Sequence, residues 1–216
     1  MALSVAEGLR TVRERIARAC DAAGRDPESV TLVAVSKRHP ADAIRAAMDA
    51  GQMLFGENYA QELAAKAAEI EGARWHMIGH LQRNKVKLLA PHRAVIETVD
   101  SARLAREIDK RAIGPTDVLL QVDVAHEASK SGCHVDELPA LIDAVRPLAN
   151  VRLRGLMTIP PAGEDPRPHF AALRRLAEAH DLPDLSMGMS GDLEVAVEEG
   201  ATIVRVGTAI FGPRPS

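Results

Sequence analysis

Residues 31–60, TLVAVSKRHPADAIRAAMDAGQMLFGENYA, contain the repeating unit that decides the fold. A largely apolar run covers residues 31–37, the pattern of a buried strand, and a second covers residues 53–58. Between them, residues 41–50 predict a helix, and Gly51 follows at the point where helices often end in a left-handed residue. A strand, a helix and a strand in this order predict parallel pairing, with helices covering the sheet.

The same alternation continues along the chain and gives eight rounds. Eight such units in about 200 residues predict a (β/α)8 TIM barrel, and a doubly wound open sheet is the alternative. The predicted strands are 31–37, 53–58, 74–79, 94–100, 117–123, 153–159, 184–190 and 202–207. The predicted helices between them are 41–50, 59–71, 82–89, 101–112, 135–149, 166–180 and 191–199.

An additional amphipathic helix precedes the first strand. Val5, Leu9, Val12, Ile16 and Ala19 recur at helical spacing and form one apolar stripe. No linker or low-complexity tract divides the chain, so the sequence predicts a single α/β domain over residues 1–216, a barrel with an extra N-terminal helix.

The composition argues against several classes of protein. Charged residues make up 26% of the chain and the formal net charge is −3, which argues against a nucleic-acid or membrane-surface protein. Cys20 and Cys133 are isolated thiols, as in a reducing compartment, and the histidines lack metal-ligand spacing. No secretion signal and no apolar run of membrane-spanning length is recognised. We therefore expect a cytoplasmic protein with no metal, nucleic-acid or membrane partner.

Lys37 is the first candidate functional residue. Barrel sites form at the carboxyl ends of the strands, and this lysine stands at the end of the first one. A desolvated lysine, or one close to another cation, has a lowered pKa and can act as a nucleophile that forms a Schiff base. The alternative is a strand-end lysine whose ammonium reaches solvent. Other polar residues at strand ends are Glu57, Asn58, His80, Asp123 and Thr158.

The last two units favour phosphate binding. Ser190 lies where the seventh strand gives way to a helix, and Gly207 and Thr208 lie at the end of the eighth strand. Helix starts present unpaired N–H groups, and the loops after strands 7 and 8 form the recurrent phosphate site of barrels. Ser190 could equally be an ordinary N-cap, and both roles can coexist.

Arg205 lies between two valines of the last strand and needs an acceptor if it is buried. A carboxylate across the barrel and the ring nitrogen of a bound cofactor both fit this requirement. A lysine nucleophile, a phosphate-binding turn and a donor between them are the elements of a pyridoxal 5′-phosphate (PLP) pocket.

Six motifs make the chain resemble the YggS/PROSC family of PLP homeostasis proteins, and the resemblance runs from about residue 5 to residue 212. They are AVSK (34–37), FGENYAQE (55–62), WHMIGHLQRNK (75–85), GLMTI (155–159), LSMGMSGDLEVAVEEGAT (185–202) and VRVGTAIFG (204–212). The resemblance implies a PLP-binding barrel similar to the N-terminal domain of alanine racemases.

The resemblance also implies residue roles. Lys37 is expected to form the Schiff base, and Arg205 to face the pyridine nitrogen. Asn58 and Met189 are expected close to the cofactor, and the expected phosphate ligands are Ser190, Gly207 and Thr208. No role is implied for His80.

Three functions remain open at this point. One is a PLP carrier or regulator without substantial turnover, with PLP-dependent apo-enzymes as candidate recipients. The second is an amino-acid racemase, which is disfavoured because racemases with this domain take a tyrosine base from a second domain. The third is a Schiff-base aldolase without a cofactor. We predict the carrier and expect no catalytic residues; a monomer and a weak homodimer are both compatible with the sequence.

Overall fold

Eight parallel strands form a closed barrel in a computed structural model of the chain, which describes residues 4–125 and 131–213. The described residues contain nine strands, all of which except β6 belong to the barrel: β1 (Thr31–Val35), β2 (Leu54–Glu57), β3 (Arg74–Met77), β4 (Val95–Val99), β5 (Thr116–Asp123), β6 (Cys133–His134), β7 (Val151–Met157), β8 (Asp184–Ser186) and β9 (Ile203–Val206). Pairing of β4 with β5 and of β9 with β1 closes the ring, and the two-residue β6 adds to the edge of β5. This closure confirms the barrel and contradicts the open sheet. The single-domain assignment of residues 1–216 stays a prediction.

Most predicted strands extend past the observed ends. The largest difference is at β8, which ends at Ser186 although residues 184–190 were expected to be extended. Gly188 lies in the left-handed region with φ of 94°, and it turns the chain out of the barrel wall. The residues beyond the strands therefore form loops at the carboxyl end of the barrel, where β6 is also found without a prediction.

The helices cover the outside of the barrel. They are α1 (Val5–Ala22), α2 (Ala41–Asp49), α3 (Ala60–Glu69), α4 (Val86–Leu89), α5 (Ala102–Arg111), α6 (Leu138–Val145), α7 (Arg167–Ala179), α8 (Leu193–Glu198) and α9 (Thr208–Phe211). The regions predicted at 82–89 and 135–149 begin as 3-10 helices before they become α-helical. None of the helices within the two described ranges is long and apolar enough to cross a membrane.

Helix α1 is the additional N-terminal helix expected from the sequence. It begins with a capping box, in which Ser4 accepts from the N–H of Glu7 and the Glu7 carboxylate accepts from the N–H of Ser4. It packs against α8 and α9, and the contact with α9 is possible because residue 8 is glycine. A Cβ at Gly8 would lie 2.7 Å from the carbonyl oxygen of Ile210. The backbone of α1 therefore packs directly against the backbone of α9.

The inside of the barrel has an apolar part and a polar part. Val33, Leu119 and Met157 belong to a small buried cluster separate from the main core between strands and helices. His76, Glu97 and other polar side chains occupy the rest of the interior and are also buried. A polar barrel interior with paired charges is a place where ligands can be held.

Candidate functional site

A cavity of about 280 Å³ opens at the carboxyl ends of β2, β1, β9 and β8, four strands that are consecutive around the barrel. Its size is close to the lower limit of small-ligand pockets, about 300 Å³. All seven residues that the sequence proposes as ligands line this one cavity. They are Lys37, Asn58, Met189, Ser190, Arg205, Gly207 and Thr208.

Lys37 lies two residues beyond the end of β1, in a turn, and is half-buried. The next residue, Arg38, has φ of 63°, a left-handed conformation that is uncommon for a residue with a side chain. Its side chain is exposed, whereas His39 lines the cavity and stacks on Phe211 with ring centroids 5.1 Å apart. The turn therefore directs residues 37 and 39 toward the cavity and residue 38 to solvent.

A buried charge cluster lies behind this turn. The ammonium of Lys66 donates to the Ser36 carbonyl at 2.8 Å, to Glu57 Oε1 at 2.6 Å and to Glu62 Oε1 at 2.7 Å. Glu62 Oε1 also accepts the N–H of Arg38 at 2.6 Å. Glu57, at the end of β2, is not among the cavity-lining residues, and burial raises the pKa of its carboxyl despite the nearby Lys66.

The turn after β8 forms another part of the cavity wall. Asp192, rather than Ser190, is the N-cap residue of α8, and its carboxylate accepts the N–H of Met189 at 2.6 Å. Arg15 of α1 donates to the Ser190 carbonyl at 3.0 Å and forms a bidentate ion pair with Glu194. The Ser190 hydroxyl is thus not needed to cap the helix.

The turn after β9 completes this side of the cavity. Gly207 is the N-cap residue of α9, which begins at Thr208, and first-turn N–H groups have no acceptor within a helix. A Cβ at Gly207 would lie 3.1 Å from the carbonyl oxygen of Val35, so the glycine allows β9 and β1 to approach closely here. The turns after β8 and β9 therefore place the hydroxyls of Ser190 and Thr208, and the N–H groups at the start of α9, on the same side of the cavity.

Arg205 lies at the base of the cavity and is buried. One terminal nitrogen donates to the Ser186 hydroxyl at 2.5 Å and lies 3.7 Å from Glu97 Oε2, while the other donates to the Thr158 carbonyl at 2.9 Å. The carboxylate across the barrel is therefore present, and Arg205 also reaches the cavity wall. Burial lowers the pKa of the guanidinium, opposed by the charge of Glu97.

Glu97 is the centre of this network. Its Oε1 is 2.5 Å from His76 Nδ1, and its Oε2, the oxygen near Arg205, accepts from the Ser186 hydroxyl at the same distance. Burial alone would raise the pKa of Glu97, but the hydrogen bond and charge of His76, together with Arg205 and Ser186, hold that pKa below its ordinary value. An ionised Glu97 keeps Arg205 paired and fixed.

A second cavity of about 310 Å³ adjoins the first and shares Asn58, Ile78 and Ile159 with it. His80 and Asp123 line it, and His80 lies 3.6 Å from Asp100. Among the residues that the structure describes, no group of three His, Cys, Asp or Glu side chains could hold a metal ion.

The sequence did not single out five residues of the cavity wall: Val35, His39, Ile78, Ile159 and Gly191. Strand alternation could have indicated Val35, because it shares a face with Val33 inside the barrel. Ile159 lies in the loop between β7 and α7, which contributes to the cavity wall.

Comparison with known proteins identifies the family. The family described as alanine racemase, N-terminal domain, matches residues 9–215. The pyridoxal phosphate homeostasis protein of Pseudomonas aeruginosa is 48% identical over 98% of this chain and 96% of its own length. The chain belongs to the pyridoxal phosphate homeostasis protein family. The member from Escherichia coli strain K12 is 43% identical, over 97% of both chains.

Solved structures agree with membership of the pyridoxal phosphate homeostasis protein family. PipY of Synechococcus elongatus, solved with PLP bound, superposes with a TM-score of 0.80 at 39% identity, over 93% of this chain and 100% of PipY. Alanine racemase from Corynebacterium glutamicum gives a TM-score of 0.74 at 18% identity, over 96% of this chain but 62% of the racemase. The likeness to the racemase shows the fold alone.

Proposed function

We propose that this protein binds PLP in the cavity, holds it as a Schiff base on Lys37, and serves intracellular PLP homeostasis without substantial turnover. One observation carries the proposal: a lysine, a set of phosphate-type donors and a buried arginine line the same cavity. The PLP-bound PipY structure and the names of the relatives support it.

The residues of the cavity fit PLP by their chemistry. PLP supplies an aldehyde, with which a lysine amine forms an imine and releases water. Ser190, Thr208 and the backbone around Gly207 offer hydroxyl and N–H donors for a phosphate. Arg205 lies between these donors and the interior network, where it can donate to a ring nitrogen. Its permanent charge disfavours a proton on that nitrogen, which reduces the capacity of the ring to accept electrons.

We propose a carrier rather than a racemase. Tyr59, the one tyrosine of the chain, is 53% exposed at the start of α3 and is not among the cavity-lining residues. It is therefore poorly placed to act as a base in the cavity. The cavity is also open to solvent, which would leave a carbanion unprotected. PLP-dependent apo-enzymes are the proposed recipients, in the cytoplasm, and a monomer or a weak homodimer is the proposed state.

The decisive experiment is chemical trapping. The purified protein is incubated with PLP, reduced with borohydride, digested and analysed by mass spectrometry. We expect one pyridoxyl adduct, on the peptide that contains Lys37. Adducts spread over surface lysines, with none at position 37, would contradict the proposal.

Two further measurements separate the alternatives. The carrier and the racemase both become yellow with PLP, whereas an aldolase without a cofactor stays colourless. A chiral assay with alanine and serine then distinguishes the first two, and turnover at ordinary enzyme rates, about 1 per second or faster, would establish the racemase.

A further inference from the structure

We propose that Lys66 is a positioning residue for Lys37, because its ammonium fixes the peptide groups on both sides of the proposed Schiff-base lysine. This inference rests on the proposed function, since it assigns to Lys66 the task of aiming Lys37 at an aldehyde in the cavity. Lys66 lies on α3, outside the barrel wall, and does not line the cavity.

The contacts of Lys66 converge on the segment around Lys37. Its ammonium donates to the carbonyl of Ser36, the residue before Lys37. It also donates to Glu62 Oε1, the same oxygen that accepts the N–H of Arg38, the residue after Lys37. One side chain thus restrains the backbone immediately before and immediately after residue 37.

The third contact of Lys66 joins the end of β2 to the same segment. Glu57 Oε1 accepts from Lys66 at 2.6 Å and from the Ser36 hydroxyl at 2.7 Å. The residue after Glu57 is Asn58, which lines the cavity. Lys66 therefore holds two neighbouring parts of the cavity wall in one arrangement.

The backbone of this segment needs such a restraint. Arg38 adopts a left-handed conformation, which is unfavourable for a residue with a side chain. Its N–H is held by Glu62, and Glu62 is in turn held by Lys66. The turn that directs Lys37 into the cavity is thus maintained by tertiary contacts and not by local preference.

Fold stability alone is a weak explanation for this cluster. Lys66 is 8% exposed and Glu57 is fully buried, and buried ion pairs often contribute little net stability compared with apolar residues of similar volume. Glu57 Oε2 has no hydrogen-bond partner within residues 4–125 and 131–213, so the cluster is not fully satisfied. What the cluster does fix is the path of residues 36–38.

The test distinguishes an effect on the orientation of Lys37 from damage to the pocket as a whole. Pyridoxine 5′-phosphate lacks the aldehyde and can report on the pocket alone, whereas PLP also reports on the reaction with Lys37. We expect K66M to bind pyridoxine 5′-phosphate within about twofold of the unchanged protein and to form the Schiff base about 10- to 100-fold more slowly. Absorption spectroscopy follows the reaction, calorimetry follows the binding, and borohydride trapping confirms residue 37.

Three additional variants complete the design. K66R keeps the charge and is expected to recover part of the rate. E69Q alters an exposed carboxylate on the same helix, one that pairs with Arg45, and is expected to behave like the unchanged protein. If K66M alone fails to fold because Glu57 is left unpaired, the double variant E57Q/K66M removes both charges, and the same slow Schiff-base formation is expected of it.

Two outcomes would overturn the inference. One is Schiff-base formation at the unchanged rate in K66M or in the double variant. The other is an equal loss of pyridoxine 5′-phosphate binding and Schiff-base formation, which would show a structural role only. Failure of the proposed function is seen separately, because the unchanged protein would then yield no adduct at Lys37.

Discussion

The two sides of the cavity are held in place by different forces. At the amine end, residues 36–39, a buried ammonium and two carboxylates fix the backbone. At the proposed phosphate-binding end, here called the phosphate end (residues 187–192 and 207–211), the turns are supported by α1, through a glycine contact and through Arg15. The amine end should therefore be sensitive to the loss of charge, and the phosphate end to the addition of volume.

The largest effect is expected from K37A, which removes the reactive amine at the amine end of the cavity. Without the amine no Schiff base can form, so the visible absorption with PLP and the trapped adduct should be lost completely. Binding of pyridoxine 5′-phosphate should persist, because the phosphate end does not depend on Lys37. The measurements are absorption spectroscopy and calorimetry, and a variant that still turns yellow and is trapped elsewhere would contradict the assignment.

The next largest effect is expected from E97Q in the polar interior. This change removes a fully buried charge that faces His76 and Arg205, at a cost of about 3 kcal/mol in the free energy of unfolding at neutral pH. The pKa of Glu97 is lower in the folded state than its ordinary value of 4.5, so its ionisation stabilises the fold above that pH. This stabilisation declines as the pH falls through the folded pKa.

The measurement is denaturant unfolding of both proteins from neutral to acid pH. The difference between them should be largest at neutral pH and should narrow below pH 4.5. A difference that stays constant throughout the acid range would show that Glu97 is not ionised in the folded protein.

A smaller effect is expected from G8V at the phosphate end. The added side chain would meet the carbonyl oxygens of Ile210 and Ala209 at less than 3 Å, so α1 must move away from α9. Overpacking of this kind costs about 1–3 kcal/mol and should also weaken pyridoxine 5′-phosphate binding. The control is A6V on the exposed face of α1. Equal melting temperatures and affinities for the two variants would contradict the support role of α1.

The smallest effect is expected from R15M. Arg15 holds the Ser190 carbonyl and Glu194, but its side chain is partly exposed, so the loss should be about 1 kcal/mol, or about fivefold in pyridoxine 5′-phosphate affinity. R10M is the control, because Arg10 forms an exposed pair within α1. If calorimetry gives the same affinity for R15M and R10M, Arg15 does not support the phosphate end. The contact at Gly8 would then be the support that α1 provides.

The sequence predicted the barrel because the periods of strands and helices alternate eight times along the chain. The structure contains this barrel, which the pairing of β4 with β5 helps to close. It placed the candidate ligands at strand ends, and parallel strands bring those ends together. The residues that hold the ligands were not predicted. Glu97 and Ser186 are 89 residues apart, and Arg15 and Glu194 are 179 apart, so no local pattern connects them.

Turn geometry was the other source of error. Residues 187–190 were included in the seventh predicted strand, and the conformation of Gly188 ends β8 earlier than predicted. Lys66 was overlooked for a related reason: a lysine on an amphipathic helix is ordinarily an exposed residue, and only the packing of α3 against the ends of β1 and β2 buries it.

The contact between α1 and α9 also has a consequence for how the protein is made. A chain that emerges from the ribosome presents α1 long before β9 and α9 exist, and the barrel cannot close until β9 pairs with β1. Helix α1, which packs against the proposed phosphate-binding turns, lies in the first part of this sequence, and the turns themselves lie in its last quarter. If the protein binds PLP as proposed, we expect capture to require a chain synthesised through α9, and translation products that stop before β9 should not sequester the cofactor.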